Sequence, residues 1–241
     1  MELKICHMYP DILNLYGDRG NVMCMSRRLR WRGIDVSVEK LPLGEQRSLA
    51  GFDLIFIGGG QDFDRELLLD DLNRGKAREV RAAAEDGITF LTVCGGFQLM
   101  GSYLELPGGE KLGLIGAVDM YTVAADGRFT GNYKFTCTPG AGGSTVVGFE
   151  NHSGRTYLGN GTEPLGIISC GHGNNGSDSS EGVHYKNVFG TYSHGPVLPK
   201  NPRLCDFILQ TALERRYGSA ELSALDDSAE LAAHDEMCSK L

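Results

Sequence analysis

Apolar and polar positions alternate on two different periods along the first hundred residues. Leu3–Tyr9 is a short apolar run, and Phe52–Ile57 and Ile88–Val93 are nearly unbroken ones. Such runs predict buried strands, because Val, Ile, Thr and Phe fit a pleated, covered surface. Ile34–Leu41 alternates and predicts a further strand. Between these runs the period changes. Asn21–Trp31 reads as a helix stopped by Gly33, and Arg65–Asp86 has helical character despite Gly75. After residue 94 a helix opens, with Phe97, Met100 and Leu104 at helical spacing. The resulting order, β-α-β-β-α-β-α, predicts a mostly parallel sheet with helices on both faces, a three-layer α/β domain.

The pattern shifts after Leu112. Short β-like runs at Leu114–Val123, Tyr133–Thr138, Thr145–Phe149, Leu165–Ser169 and Val188–Tyr192 are separated by polar, glycine-rich turns. This half is expected to carry antiparallel or edge strands. Arg203–Tyr217 follows as an amphipathic helix with Leu204, Phe207, Ile208 and Leu213 on one face. Ser219–Leu241 holds six acidic residues against one lysine. The expected division is therefore a domain over 1–218 and an acidic, helical tail over 219–241.

Charge and composition narrow the function. The 241 residues carry a net charge of −8 with no offsetting basic patch, which argues against a nucleic-acid partner. No run approaches the roughly 18 apolar residues that span a bilayer, and nothing resembles a signal peptide. Seven cysteines lie far apart without a C-x-x-C pair, so neither a disulfide framework nor a zinc or other metal site is expected. The reducing cytoplasm is the expected location. Gly171–Gly176 matches G-x-G-x-x-G, but no helix opens after it to hold a pyrophosphate, so it reads as a hairpin turn. Gly75-Lys76 lacks the rest of a P-loop. No ATP site is expected in this chain.

The candidate chemistry centres on Cys94. It sits where a buried strand meets a helix, with Gly95 and Gly96 directly after it. A sharp strand-to-helix turn lifts a nucleophile above the carboxyl edge of a sheet. Helix-terminal N–H groups favour a thiolate there. The Gly95 amide and the Gly58-Gly59-Gly60 loop are placed to build an oxyanion hole. A cysteine nucleophile needs a base. His194, at a strand end before Gly195-Pro196, is the first candidate, and His152 its rival.

Five segments in order carry a resemblance: Asn14–Asn21, Phe56–Asp62, Val93–Gln98, Phe149–Arg155 and Gly190–Pro202. Together they resemble class I glutamine amidotransferases, in particular the cobyric-acid-synthase-like branch and the glutaminase subunits of lipid II isoglutaminyl synthases. The resemblance implies Cys94 as nucleophile, His194 as base, and oxyanion donors on Gly60 and Gly95. It implies Arg128 as the residue that holds glutamine, a task suited to a guanidinium fork. It also implies a heterodimer. A Mur-ligase-like partner (MurT) would carry ATP and Mg and amidate the D-glutamate of lipid II in peptidoglycan synthesis, with no cofactor in this chain. A cobyrinate-like acceptor and a catalytically silent scaffold are the alternatives. Two positions depart from the pattern. Thr92 stands where the elbow usually has glycine. Pro196 stands where many class I enzymes place the glutamate that orients the histidine, leaving Asp18 and Glu150 as unranked candidates for that acid.

Overall fold

In the computed structural model, which describes residues 1–60 and 65–241, the first hundred residues build the heart of a parallel sheet. Strands β1 (Glu2–Met8), β2 (Asp35–Leu41), β3 (Leu54–Ile57) and β4 (Thr89–Val93) pair in parallel in the order β2-β1-β3-β4. Every residue of β3 and β4 is buried, whereas most of β2, on the edge, is not. The sequence follows suit: the inner strands are continuous apolar runs and the edge strand alternates. Helix α1 (Arg19–Trp31) joins β1 to β2. Helices α2 (Arg65–Asp71) and α3 (Ala77–Glu85) join β3 to β4, and the short α4 (Gly95–Leu99) leaves β4. The two crossovers run in opposite directions along the sheet, so their shared right-handedness places α1 on one face and α2–α3 on the other.

The expected helix over Arg65–Asp86 is interrupted. A wide turn at Leu72–Lys76 separates α2 from α3, with Gly75 at φ 133°. The buried Lys76 at that turn donates to Asp71 Oδ2 at 2.6 Å and to the Pro42 carbonyl at 2.7 Å. Asp71 also accepts from the Tyr9 hydroxyl, so a buried charge is paired rather than stranded.

A second sheet contains β5 (Tyr103–Glu105), β6 (Lys111–Gly113), β7 (Met120–Cys137), β8 (Thr145–Leu158), β9 (Gly166–Cys170) and β10 (Ser180–Glu181). Its spine is the β7–β8 hairpin, antiparallel along most of its length, with a register shift between Ala124 and Phe129. Residues 124–132 and 150–158, expected as turns, belong to these strands. Their glycines and polar side chains hid a pairing that only the partner strand specifies. The chain then returns to the first sheet through β11 (Val183–Tyr185) and β12 (Val188–Thr191). Here the expectation of an edge or antiparallel strand at Val188–Tyr192 is corrected. β12 lies parallel to β4, and only β11 forms the antiparallel edge.

Helix α5 (Pro202–Tyr217) packs on α1, bringing Cys24 and Cys205 Sγ to 4.0 Å. Leu204, Ile208 and Leu213 are buried as the pattern predicts, with Leu209 and Ala212 beside them. The acidic segment forms α6 (Ser228–Lys240). Asp227 pairs with the buried Arg28, and Lys134 Nζ reaches the Cys238 carbonyl at 3.1 Å.

The two sheets are stitched together by Asn201. Its carboxamide accepts from the Val147 amide and donates to the Val147 carbonyl, both at 2.9 Å, and donates to the Val197 carbonyl at 2.7 Å. One buried side chain thereby completes backbone pairing between β8 and the turn after β12. Asn201→Ala leaves these backbone groups unpaired, at about 1–3 kcal/mol for a buried group. Urea unfolding should show a loss of roughly 2–4 kcal/mol. A loss well under ~1 kcal/mol would mean that the seam is held elsewhere.

Candidate active site

At the end of β4 the backbone turns sharply through Cys94, whose φ of 49° and ψ of −106° are unusual for a residue with a Cβ. Such strain persists where the surroundings over-determine it. The Cys94 amide donates to the Thr191 carbonyl at 2.8 Å, and the Gly96 amide to the Gly58 carbonyl at 3.1 Å. A Cβ on Gly96 would come within 2.6 Å of the Ile57 carbonyl oxygen, so only glycine lets the ends of β3 and β4 approach this closely. Thr92 is accommodated, fully buried, with a hydroxyl that has no partner among the described residues.

Three side chains converge over Gly59. A Cβ built there would lie 2.7 Å from His194 Cε1, 3.1 Å from Asp18 Oδ2 and 3.3 Å from Cys94 Cβ. The fold thus brings together β4 (Cys94), the turn after β12 (His194) and the loop between β1 and α1 (Asp18). His194 and Asp18 are both fully buried, with Nδ1 3.5 Å from Oδ2. The Gly59 amide donates to the same carboxylate oxygen at 2.7 Å and holds it in place. With Nδ1 turned to Asp18, Nε2 is the nitrogen left for Cys94. Burial disfavours the imidazolium, but the negative charge of Cys94 and the Asp18 carboxylate outweigh it and raise His194 to about 10.

Of the two candidate acids left open by Pro196, only Asp18 faces His194. Glu150 points away. It accepts from His172 Nδ1 at 2.7 Å and from the His172 and Gly173 amides at 3.0 Å each, and so braces the loop after β9. His152, the rival histidine, stacks on Tyr192 with centroids 3.5 Å apart and bonds through Nδ1 to the Gly154 carbonyl.

The Gly60 and Gly95 backbones meet at the mouth of the elbow, a Cβ on Gly95 falling 3.2 Å from the Gly60 amide nitrogen. Gln61 and Asp62, which complete that segment of the sequence pattern, lie outside the described residues. Arg128 sits in the register shift of β7, on the wall of a cavity of about 710 Å³ that Cys94, Gly60 and Gly95 also line. Its Nε donates to Asn151 Oδ1 at 2.8 Å and its Nη2 to the Asn151 carbonyl at 3.0 Å. Asn151 in turn donates to the Tyr16 hydroxyl, and the Tyr16 ring stands edge-on to His194 with centroids 5.0 Å apart. Asn151 and Tyr16 lie inside quoted segments but were given no role, because nothing local marks a residue that orients another across two sheets.

These charges generate a test. Cys94→Ala and Asp18→Asn should each lower the His194 pKa, since each removes a negative group that favours the imidazolium. Following the His194 ring resonances by NMR against pH would show it. A ring that titrates near its ordinary value of 6.5 in all three proteins would sink this account of the site.

Residues 4–202 match the CobB/CobQ-like glutamine amidotransferase domain. The chain is 41% identical over 232 residues to subunit GatD of the glutamine-hydrolysing lipid II isoglutaminyl synthase of Staphylococcus aureus, covering 96% of this chain and 93% of that protein. It is 38% identical over 228 residues to the corresponding GatD of Streptococcus pneumoniae, covering 94% and 86%. A glutamine amidotransferase structure from Thermotoga maritima superposes with a TM-score of 0.55 at 13% identity, covering 98% of this chain and 93% of that one, which speaks for the fold. The elbow at the end of β4 therefore stands in a known setting: this chain belongs to the CobB/CobQ-like glutamine amidotransferases and is a glutaminase-type enzyme.

Proposed function

We propose that this chain is the glutamine-hydrolysing subunit of a lipid II isoglutaminyl synthase. It supplies ammonia to a Mur-ligase-like partner, MurT, which amidates the D-glutamate α-carboxyl of lipid II during peptidoglycan synthesis in the cytoplasm. ATP and Mg²⁺ act on that partner, and this chain uses no cofactor. The observation that carries the reading is the convergence of Cys94, His194 and Asp18 over Gly59 in a chain 41% identical to a GatD subunit over nearly its whole length.

The chemistry follows from the geometry. Cys94 thiolate attacks the side-chain amide carbon of glutamine, and the amide oxygen becomes an oxyanion. The Gly60 and Gly95 amides are its donors. His194, charged and held by Asp18, gives its proton to the leaving nitrogen, and ammonia departs. Neutral His194 then takes a proton from water, whose oxygen attacks the thioester carbon. Glutamate leaves and the thiolate is restored. Arg128 pairs with the glutamine α-carboxylate, its fork pre-set by Asn151. Ammonia that escapes to water near neutral pH is protonated and ceases to be a nucleophile, so delivery requires a sheltered contact at the carboxyl edge of the sheet.

Cys94→Ala should abolish glutamine hydrolysis, a loss on the order of 10³-fold or more. In a mixture with the ligase and ATP, the same variant should still permit lipid II amidation when ammonia is added. If the purified chain neither associates with such a ligase in size-exclusion chromatography nor makes glutamine support amidation, the assignment fails. Arg128→Lys keeps the charge and loses the fork, so KM for glutamine should rise about tenfold or more with a smaller change in kcat. An unchanged KM would return Arg128 to an ordinary surface role.

A further inference from the structure

A second cavity, of about 430 Å³, opens on the other side of the loop that carries Asp18. It lies between α1 and the edge strand β2, and its charge runs against that of the molecule. Arg19, Arg27 and Arg30 of α1 and Lys40 of β2 line it, with Asp11 as the one acid, while the whole chain carries −8. On α1 the basic residues and Met23 recur at helical spacing, which gathers them on one face. None of the four cationic side chains is paired with another described residue, although ion pairs are plentiful elsewhere on the surface.

Polar residues also lie in the wall of the cavity. His7 and Ser26 line it and are each only 5% exposed. His7 Nε2 and Ser26 Oγ have no hydrogen-bond partner among the described residues. A buried polar atom without a partner costs about 1–3 kcal/mol. Such a group calls for a partner beyond the described side chains, an ordered water or an ion among them. Burial, followed by the charge of Lys40, lowers His7 to about 4, with Asp11 opposing, so the ring is neutral at pH 7 and offers one donor.

We propose that this cleft is a binding site for a phosphate-class oxyanion, held by the guanidinium forks of Arg27 and Arg30 with Arg19 and Lys40 beside them. The lining has an excess of three positive charges. A lone carboxylate would offset one of them, whereas a phosphate ester carries roughly two negative charges at neutral pH and a diphosphate more. Guanidinium forks match phosphate oxygens bidentately. The volume falls in the range of ordinary small-ligand sites.

The test is calorimetric titration of the intact chain with inorganic pyrophosphate at constant ionic strength. The wild type should show saturable one-to-one binding. Arg27→Gln/Arg30→Gln should weaken it roughly tenfold or more, as expected for the loss of charge-assisted bonds. Arg78→Gln/Lys240→Gln removes the same charge from distant exposed positions and should leave binding within about twofold, since exposed distant charges are screened. Both variants should hydrolyse glutamine normally. A second arm adds phosphatidylglycerol vesicles. Vesicle binding that pyrophosphate displaces identifies a lipid headgroup as the source, and pyrophosphate binding without vesicle binding identifies a soluble phosphate ester. Absence of saturable pyrophosphate binding, equal weakening in both variants, or vesicle binding indifferent to pyrophosphate would each overturn the proposal.

Discussion

The close approach of two strand ends governs this molecule. β3 and β4 are neighbours in the sheet, and both finish in glycines at the carboxyl edge. Gly96 has the Ile57 carbonyl oxygen where a Cβ would go, and Gly59 has the His194 ring. Because no side chain occupies that space, the backbone of one strand end can serve the reactive group on the other. The strained dihedrals of Cys94 are tolerable because its amide is anchored to Thr191 on β12, the next strand in the sheet. If the strand ends moved apart by the width of a methyl group, thiol, imidazole and carboxylate would no longer meet.

Charge is arranged around that junction with equal economy. Asp18 and His194 are both fully buried, a costly state for isolated charges. Groups of opposite charge in one dry space offset one another: the Asp18 carboxylate faces the His194 imidazole through Oδ2, the Gly59 amide donates to that same oxygen, and Cys94 lies beside both. Two residues after His194 the chain has Pro196, which offers no acid. The carboxylate that faces His194 is that of Asp18, from the loop between β1 and α1.

The second sheet has a different task. Its long hairpin carries Arg128 and Asn151 over the elbow and closes a cavity that the parallel sheet alone leaves open. Asn201 and the Phe149–His194 backbone bond fasten it to the strand end that bears His194. The cavity over Cys94 is therefore a joint between two sheets, fastened by a few buried polar contacts. No helix among the described residues is long and apolar enough to cross a membrane.

Local chemistry was readable along the chain. Continuous apolar runs marked β3 and β4 because both faces of an inner parallel strand are covered, and Cys94-Gly95-Gly96 marked the elbow because glycines are needed where a strand meets a helix. His194 stood out by its strand end and the turn after it. Other features became visible only in three dimensions. Residues 124–132 and 150–158 belong to strands because they lie along one hairpin, with Ala124 opposite Gly154, Phe129 opposite His152 and Arg155–Leu158 opposite Met120–Val123, a relation that their glycines and polar side chains do not advertise. Val188–Thr191 joins the parallel sheet because a free edge of β4 awaits it, not because of its own pattern. The choice of Asp18 over Glu150 needed coordinates, since both are single acids in polar surroundings and differ only in which histidine they face. Strand character and turn geometry arise from neighbours along the chain, so sequence determines them. Which distant groups share a buried space is settled by how the sheets close, and the tertiary structure alone decides it.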